Sequence, residues 1–317
     1  MYIKFWGTRG SIPTSLGGDT LKQKYRQILQ GAAGLDLSKE AVLNRYLDQI
    51  SPSLQFGAGG ETTCVEVRSG KQLLIIDAGS GIRLLGIDLL ARGFDQGNLQ
   101  ADLLFTHTHW DHIQGFPFFR PAFVPGNRFT IYSPFVDLQA RLTGQQHEHF
   151  FPVPVNCMSA AMTFQEIEPE TWSQIGRFRV YPLRLSHPGA TYGYRIEDGW
   201  STLVMATDSE YKRVDLVSTE QYVQFFHGAD LLIFDAQYSL TEALDKVDWG
   251  HSTAMMGAEL SYRAGVKRLA LFHHDPSSGD EKIWAAKEQA EAYLTRRHNG
   301  AEACQVLVAY DGLALEV

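Results

Sequence analysis

The chain has 317 residues, 44% of them hydrophobic and 20% charged, with a formal net charge of −8. That balance belongs to a folded chain, long enough for one large domain or two ordinary ones, and excludes a disordered bulk. The acidic total disfavours nucleic acid as a partner, because phosphate contacts from basic side chains supply most of that affinity.

The first segment, "MYIKFWGTRG", starts a strand at once and lacks the apolar core of a signal peptide. Strands are expected wherever a short apolar, β-branched run is bounded by Gly, Asp or Pro. In chain order these are 2–6, 63–67, 72–77, 101–106, 128–133, 178–185, 192–196, 201–207, 229–235, 268–272 and 305–310. Helical periodicity falls at 19–30, 38–50, 80–92, 135–143, 215–227, 252–264 and 279–298. In the last of these, Ile283, Ala286, Ala290 and Tyr293 make one stripe among charges. Strands follow one another early and are separated by helices later, which points to stacked sheets sandwiched by helices. One domain over 1–317 is expected, with a helical insertion at 19–56 that is a candidate lid or homodimer surface. The stretch 144–154, "GQQHEHFFPVP", reads as a loop over the surface or over a site. No apolar run is long enough to span a bilayer, and three scattered cysteines, Cys64, Cys157 and Cys304, fit a reducing cytoplasm.

The chemistry is concentrated in "LLFTHTHWDHIQG", where His107, His109, Asp111 and His112 follow an apolar strand. Loops at strand ends are where rigid scaffolds present reactive groups. His107 and His109 are two apart and can point the same way, while Asp111 and His112 face a second point nearby. Imidazole nitrogen and carboxylate oxygen are ligands that zinc, manganese or iron(II) accept. One metal cannot easily use all four and keep an open position; two can. A polar turn with a capping Asp is the bland alternative, but it supplies no packing reason for so many histidines.

This H-x-H-x-D-H spacing after a strand resembles the metallo-β-lactamase superfamily. The resemblance implies further ligands at strand ends downstream, and His187, Asp208 and His273 each follow an apolar strand. It implies an α/β (α+β) fold, an αββα four-layer sandwich of two mixed sheets flanked by helices. It also implies two divalent ions, zinc first, with manganese or iron(II) as alternatives. His107, His109 and His187 would hold one, Asp111, His112 and His273 the other, and Asp208 would bridge them. The flavin-linked di-iron branch commonly has a glutamate where His109 stands, so the resemblance favours hydrolysis over redox work.

"LLIFDAQY" and "WGHSTA" resemble the branch that holds tRNA 3′-processing ribonuclease Z and the cyclic phosphodiesterases. Asp235 would stand in the acidic place and His251 in the histidine place of its acid pair, although Asp is a shorter arm than Glu. A carboxylate that orients an imidazolium lets it protonate a leaving alkoxide. Asp111, Asp235 and His251 are therefore the residues expected to act in catalysis. "FWGTRGSIP", "GGETTCVEV" and "IIDAGSG" continue the same resemblance. Asp77 either orients a ligand histidine or caps the 80–92 helix.

Arg9, Ser11 and His274 are candidate substrate contacts, His274 alternatively a packed residue, while His147 and His149 read as a solvated lid segment and His227 and His298 as surface residues. Trp6, Trp110, Tyr192 and Tyr194 are candidate stacking surfaces or core. The expected enzyme is a dinuclear metal-dependent hydrolase, using a metal-bridging hydroxide on a small phosphodiester such as a cyclic nucleotide or cyclic sugar phosphate. The alternatives are a tRNA 3′-processing endoribonuclease and a non-catalytic metal-dependent sensor module.

Overall fold

A computed structural model describes residues 1–55, 57–212, 215–297 and 304–317. Among these, the first half holds β1 (Tyr2–Gly7), β2 (Cys64–Ser69), β3 (Gln72–Ile76), β4 (Gln100–Leu104), β5 (Arg128–Ser133) and β6 (Ala161–Glu166). The second holds β7 (Ser173–Ile175), β8 (Phe178–Leu185), β9 (Thr191–Glu197), β10 (Thr202–Ala206), β11 (Leu231–Asp235), β12 (Arg268–Phe272), β13 (Gln305–Val308) and β14 (Ala314–Glu316). The helices are α1 (Gly18–Gly31), α2 (Glu40–Gln49), α3 (Pro52–Gln55), α4 (Gly81–Leu89) and α5 (Trp110–Ile113). They continue with α6 (Leu138–Gln145), α7 (Leu216–Phe226), α8 (Leu240–Asp245), α9 (Ala254–Ala264) and α10 (Asp280–Arg297).

One seven-stranded sheet runs β14-β1-β2-β3-β4-β5-β6, and a second runs β13-β12-β11-β10-β9-β8-β7. Both are mixed. Strands β3 to β6 are parallel, as are β10 to β13, and the remaining pairs are antiparallel. With helices on the outer faces, this is the αββα sandwich implied by the resemblance.

Alternation along the strands builds the layers. Leu203 and Met205 of β10, Leu231 and Ile233 of β11, and Ala270 and Phe272 of β12 join the core between the sheets. Their neighbours Val204, Leu232, Phe234, Leu269 and Leu271 face the other way, onto α7, α9 and α10. A period of two puts successive side chains on opposite faces, so a run apolar at every position is buried on both. Each such side chain contributes roughly 1.5–3 kcal/mol by leaving water. Phe5 and Phe272 join the sheets, their ring centroids 5.9 Å apart.

The runs singled out as strands all form strands. Strands β6, β7 and β14 lie where the sequence shows no such run; β6 is largely exposed, and β7 and β14 are three residues each. Helices α1, α2 and α3 occupy the segment expected as an insertion and bury no side chain. They are tied down at Lys24, which is paired with Asp280 of α10. Phe56 and His298, which close the expected 19–56 and 279–298 segments, lie outside the described residues.

Close backbone approach seats the loop between β4 and α5. Ala78 N–H donates to the His112 carbonyl at 2.8 Å, and Gly115 N–H donates to the Ala78 carbonyl at 2.9 Å. A Cβ on Gly115 would lie 2.0 Å from the Gly79 carbonyl oxygen, so only glycine fits. Gly115→Ala must push the end of α5 off the turn at 77–79 that follows β3. It should cost ~1–3 kcal/mol of stability and lower metal content, read by denaturant titration and elemental analysis. An unchanged midpoint with unchanged metal content would show that the contact does not seat the loop.

Candidate metal centre

The carboxyl ends of the parallel strands meet on one rim. Open α/β sheets present their ligand sites at such ends. Asp77 directly follows β3, His107 follows β4 by three residues, and Asp208 follows β10 by two. Asp235 ends β11, His273 directly follows β12, and His187 follows β8 by two. Asp77, Asp208 and His273 hold left-handed backbone, with φ of 60°, 55° and 58°. Left-handed φ is unusual for residues other than glycine, and here it turns the chain sharply as each strand stops.

His107, His109 and His187 bring one ring nitrogen each to within 4.8 Å of one another. His187 Nδ1 donates to the Gly250 carbonyl at 2.9 Å, which leaves Nε2 as the lone pair, 3.1 Å from His109 Nδ1. Burial lowers the pKa of all three imidazoles, that of His107 most strongly, so they are neutral as a cation requires. His107 Nε2 is buried with no hydrogen-bond partner. A buried polar atom without a partner is costly, and a metal ion is the partner these three nitrogens fit.

Asp111, His112, Asp208 and His273 form the second group, all buried. His273 Nε2 lies 3.1 Å from Asp111 Oδ2 and 3.4 Å from Asp208 Oδ2, and His112 Nε2 lies 3.2 Å from Asp208 Oδ2. Against burial, Asp208, Asp111 and Asp77 hold His112 well above the usual imidazole range, and Asp208 and Asp111 help raise His273 to about 9. The two carboxylates beside these imidazoles are correspondingly held well below theirs, again against burial. Such a donor set fits a divalent ion, which takes the charge that the protons otherwise carry.

Outer partners fix each ring. His112 Nδ1 donates to Asp77 Oδ2 at 2.8 Å, and His273 Nδ1 donates to Gln237 Oε1 at 3.0 Å. Asp77 also accepts from Thr106 N–H at 2.8 Å and from its hydroxyl at 2.7 Å. Of its two readings from sequence, Asp77 therefore has the one that orients a histidine. Thr106, Gln237 and the Gly250 carbonyl were not picked out from the sequence; only their places beside a strand end or a candidate histidine mark them.

Asp235 and His251 meet despite the short side chain, with His251 Nδ1 donating to Asp235 Oδ2 at 2.7 Å. Asp235 also accepts from the backbone N–H groups of Asp208, Gln237 and Ser252 at 3.0, 3.1 and 3.2 Å. Although it lies within ligand range of Asp208, His251 and His273, its oxygens are taken up by these four donors. It is placed to orient rather than to coordinate. The His251 ring stacks on His273, with centroids 5.1 Å apart. Ser11, His109, His187, Asp208, Trp249 and His251 line a cleft of ≈ 560 Å³.

Ser11 is at this cleft, exposed, with its N–H donating to Asp111 Oδ2 at 2.7 Å. The expectation that Arg9 and His274 touch substrate is corrected. Arg9 is buried and donates to the carbonyls of Gly59, Asp275 and Ser278. His274 is buried and donates to the Ala309 carbonyl at 2.8 Å. Both serve the junction between the sheets, where Gly10 N–H reaches the His274 carbonyl and His274 N–H reaches that of Thr8. Among the stacking candidates, Trp6, Tyr192 and Tyr194 are buried, and only Trp110 is exposed, at 80%. His147 and His149 are exposed, as is His227, and His298 lies outside the described residues.

Residues 74–274 match the family model of the beta-lactamase superfamily domain. A ribonuclease Z of Exiguobacterium sibiricum is 23% identical over 243 residues, covering 61% of this chain and 77% of that protein. The probable metallo-hydrolase YhfI of Bacillus subtilis is 26% identical over 226 residues, 69% of this chain and 82% of its own length. The crystal structure of YhfI superposes with a TM-score of 0.65 at 17% identity, covering 100% of this chain and 99% of YhfI.

Asp77→Asn keeps an acceptor for Thr106 but removes the charge beside His112. Metal affinity should fall on the order of 10–100-fold, measured by chelator competition, with an unchanged circular dichroism spectrum. Undiminished affinity would remove Asp77 from metal binding. Burial pushes the His274 imidazole from 6.5 down to about 3; its bond to Ala309 opposes this and Arg9 adds to it. The unfolded chain binds this proton near pH 6.5 and the folded one does not, so the stability gained is complete above that pH and drains away toward pH 3. In chelator-treated protein, His274→Gln should flatten the stability–pH slope between pH 6 and 4 by up to ~1.4 kcal/mol per pH unit. Parallel slopes in urea titrations would show that His274 is not held neutral.

Proposed function

The chain belongs to the beta-lactamase superfamily domain family, and on that premise we propose that it is a metal-dependent phosphodiesterase acting on a small diester. The observation that carries this reading is the Asp235–His251 pair, 2.7 Å apart, at a cleft that His109, His187 and Asp208 also line.

His107, His109 and His187 would hold one divalent ion, Asp111, His112 and His273 a second, with Asp208 between them. Two such ions, zinc or alternatively manganese or iron(II), would supply Lewis-acid polarisation of a phosphoryl oxygen and a water made nucleophilic at neutral pH. The chain itself supplies orientation and a proton. Asp235 holds His251 Nδ1–H, which leaves Nε2, across the ring, to carry a proton to the leaving oxygen. Asp111 accepts from Ser11 N–H, so the turn after β1 steadies the carboxylate from the cleft side. A binder without turnover has no use for an oriented proton donor, which disfavours a sensor.

The small substrate rests on charge. The formal net charge is −8, and residues 144–160 contain no Lys or Arg to hold a long polyanion. The name of the Exiguobacterium relative supports a second reading, an endoribonuclease acting on tRNA 3′ ends. A panel of cyclic nucleotides, cyclic sugar phosphates and precursor tRNA, given to the metal-loaded chain, decides between them. Preferential, salt-sensitive cleavage of precursor tRNA would overturn the small-diester reading. We also propose a cytoplasmic location, which the free state of its three cysteines supports; among the described residues, no helix is long and apolar enough to cross a membrane.

His251→Ala should keep its metal and slow diesters with poor leaving groups by roughly 10²–10⁴-fold. Activated nitrophenyl diesters, which need no acid, should slow far less. Equal slowing of both classes would show that His251 donates no proton.

A further inference from the structure

A second cavity, of ≈ 620 Å³, adjoins the cleft and shares Thr108 and Trp110 with it. Its walls come from α5, the turn at 117–118, the end of α6 and the segment 149–151. Three aromatic rings on it are exposed: Trp110 at 80%, Phe150 at 78% and Phe118 at 51%. Rings left open to this degree do not hold the core together. Phe118 meets Phe151 edge-on, with centroids 5.4 Å apart, so this wall is preformed.

The polar groups on this cavity are few. Gln145 Nε2 donates to the Ile113 carbonyl at 2.8 Å, which sets the amide's orientation, and its Oε1 has no partner. Arg141 is held by Asp137 at 2.8 Å and reaches the Thr108 hydroxyl at 3.2 Å, on the boundary between cavity and cleft. A mostly apolar pocket of a few hundred Å³ with a small number of placed polar groups is what a ligand site needs. Flat aromatic walls favour a flat aromatic guest.

We propose that this cavity receives a planar aromatic part of the substrate while the phosphodiester lies in the adjoining cleft, with Trp110, Phe118 and Phe150 determining specificity. The proposal rests on the phosphodiesterase reading for what lies in the cleft; the aromatic contact stands on the cavity. Trp110 is the hinge of the argument. It precedes Asp111, so a guest stacked on it is registered against the metal-binding group one residue away.

The test compares ligands that carry the same phosphate with and without a ring: adenosine 5′-monophosphate and ribose 5-phosphate. Binding to the metal-loaded chain is measured by isothermal titration. The nucleotide should bind at least roughly tenfold more tightly, since stacking on an aromatic side chain supplies about that factor or more. In Trp110→Ala, and separately in Phe150→Ala, the ratio should fall toward unity. Both residues are exposed, so neither variant is expected to unfold; circular dichroism checks this. Equal affinities in the wild type, or a preference that survives both substitutions, would overturn the proposal. A preference lost in the variants, in a protein that hydrolyses no diester, would retain the aromatic subsite and overturn the hydrolase reading. Hydrolysis of diesters with no such preference would do the reverse.

Discussion

Asp208 is the point on which the rest of the structure turns. Its carboxylate is buried and lies within 4.0 Å of five imidazoles, those of His107, His112, His187, His251 and His273. A charge removed from water is expensive unless opposite charge is close and well placed. Here protons on His112 and His273 supply that charge, and a metal ion bound among the same groups would take their place. The clustered residues come from both sheets, and neither sheet alone could assemble them.

The sheets therefore have to meet with their strand ends aligned, and the backbone bears a cost for it. Left-handed conformations at Asp77, Asp208 and His273 cost on the order of 1–3 kcal/mol each. They persist because what lies below them is rigid: β3, β10 and β12 are buried along most of their length. Arg9 and His274 belong to this support. Arg9 joins the turn after β1 to the segment after β12, His274 ties that segment to the end of β13, and the same turn delivers Ser11 N–H to Asp111.

Much of this was legible in the sequence because the inner strands are short apolar runs bounded by Gly, Asp or Pro. The runs at 128–133, 178–185 and 268–272 have the bounds of β5, β8 and β12. Strand β6 was not legible: an edge strand with one wet face carries too few apolar residues to stand out from a loop. The groups that the structure gathers into two clusters each stood behind a strand: spacing marked His107, His109, Asp111 and His112, and the resemblance pointed to His187, Asp208 and His273. Arg9 and His274 stood in the same places but turn the other way. Nothing in a linear pattern distinguishes a side chain aimed at a cleft from one aimed at a carbonyl. Trp6 and Trp110 show the same limit: Trp6 is buried and donates to Glu66 at 2.8 Å, and Trp110 is open.

The placement of His251 follows from a single carboxylate. Asp235 Oδ2 accepts both from His251 Nδ1 and from the backbone N–H of Asp208. His251 and the backbone of Asp208 are thereby held to one reference atom, and cannot drift apart independently. In the proposed reaction an acid must stay within hydrogen-bond reach of the leaving oxygen while the phosphorus is held elsewhere. Asp in place of a longer Glu shortens that linkage, and the backbone donors from Gln237 and Ser252 lock its other oxygen. The short arm thus sets the imidazole at a fixed distance from Asp208, with Nδ1 4.0 Å from Asp208 Oδ1.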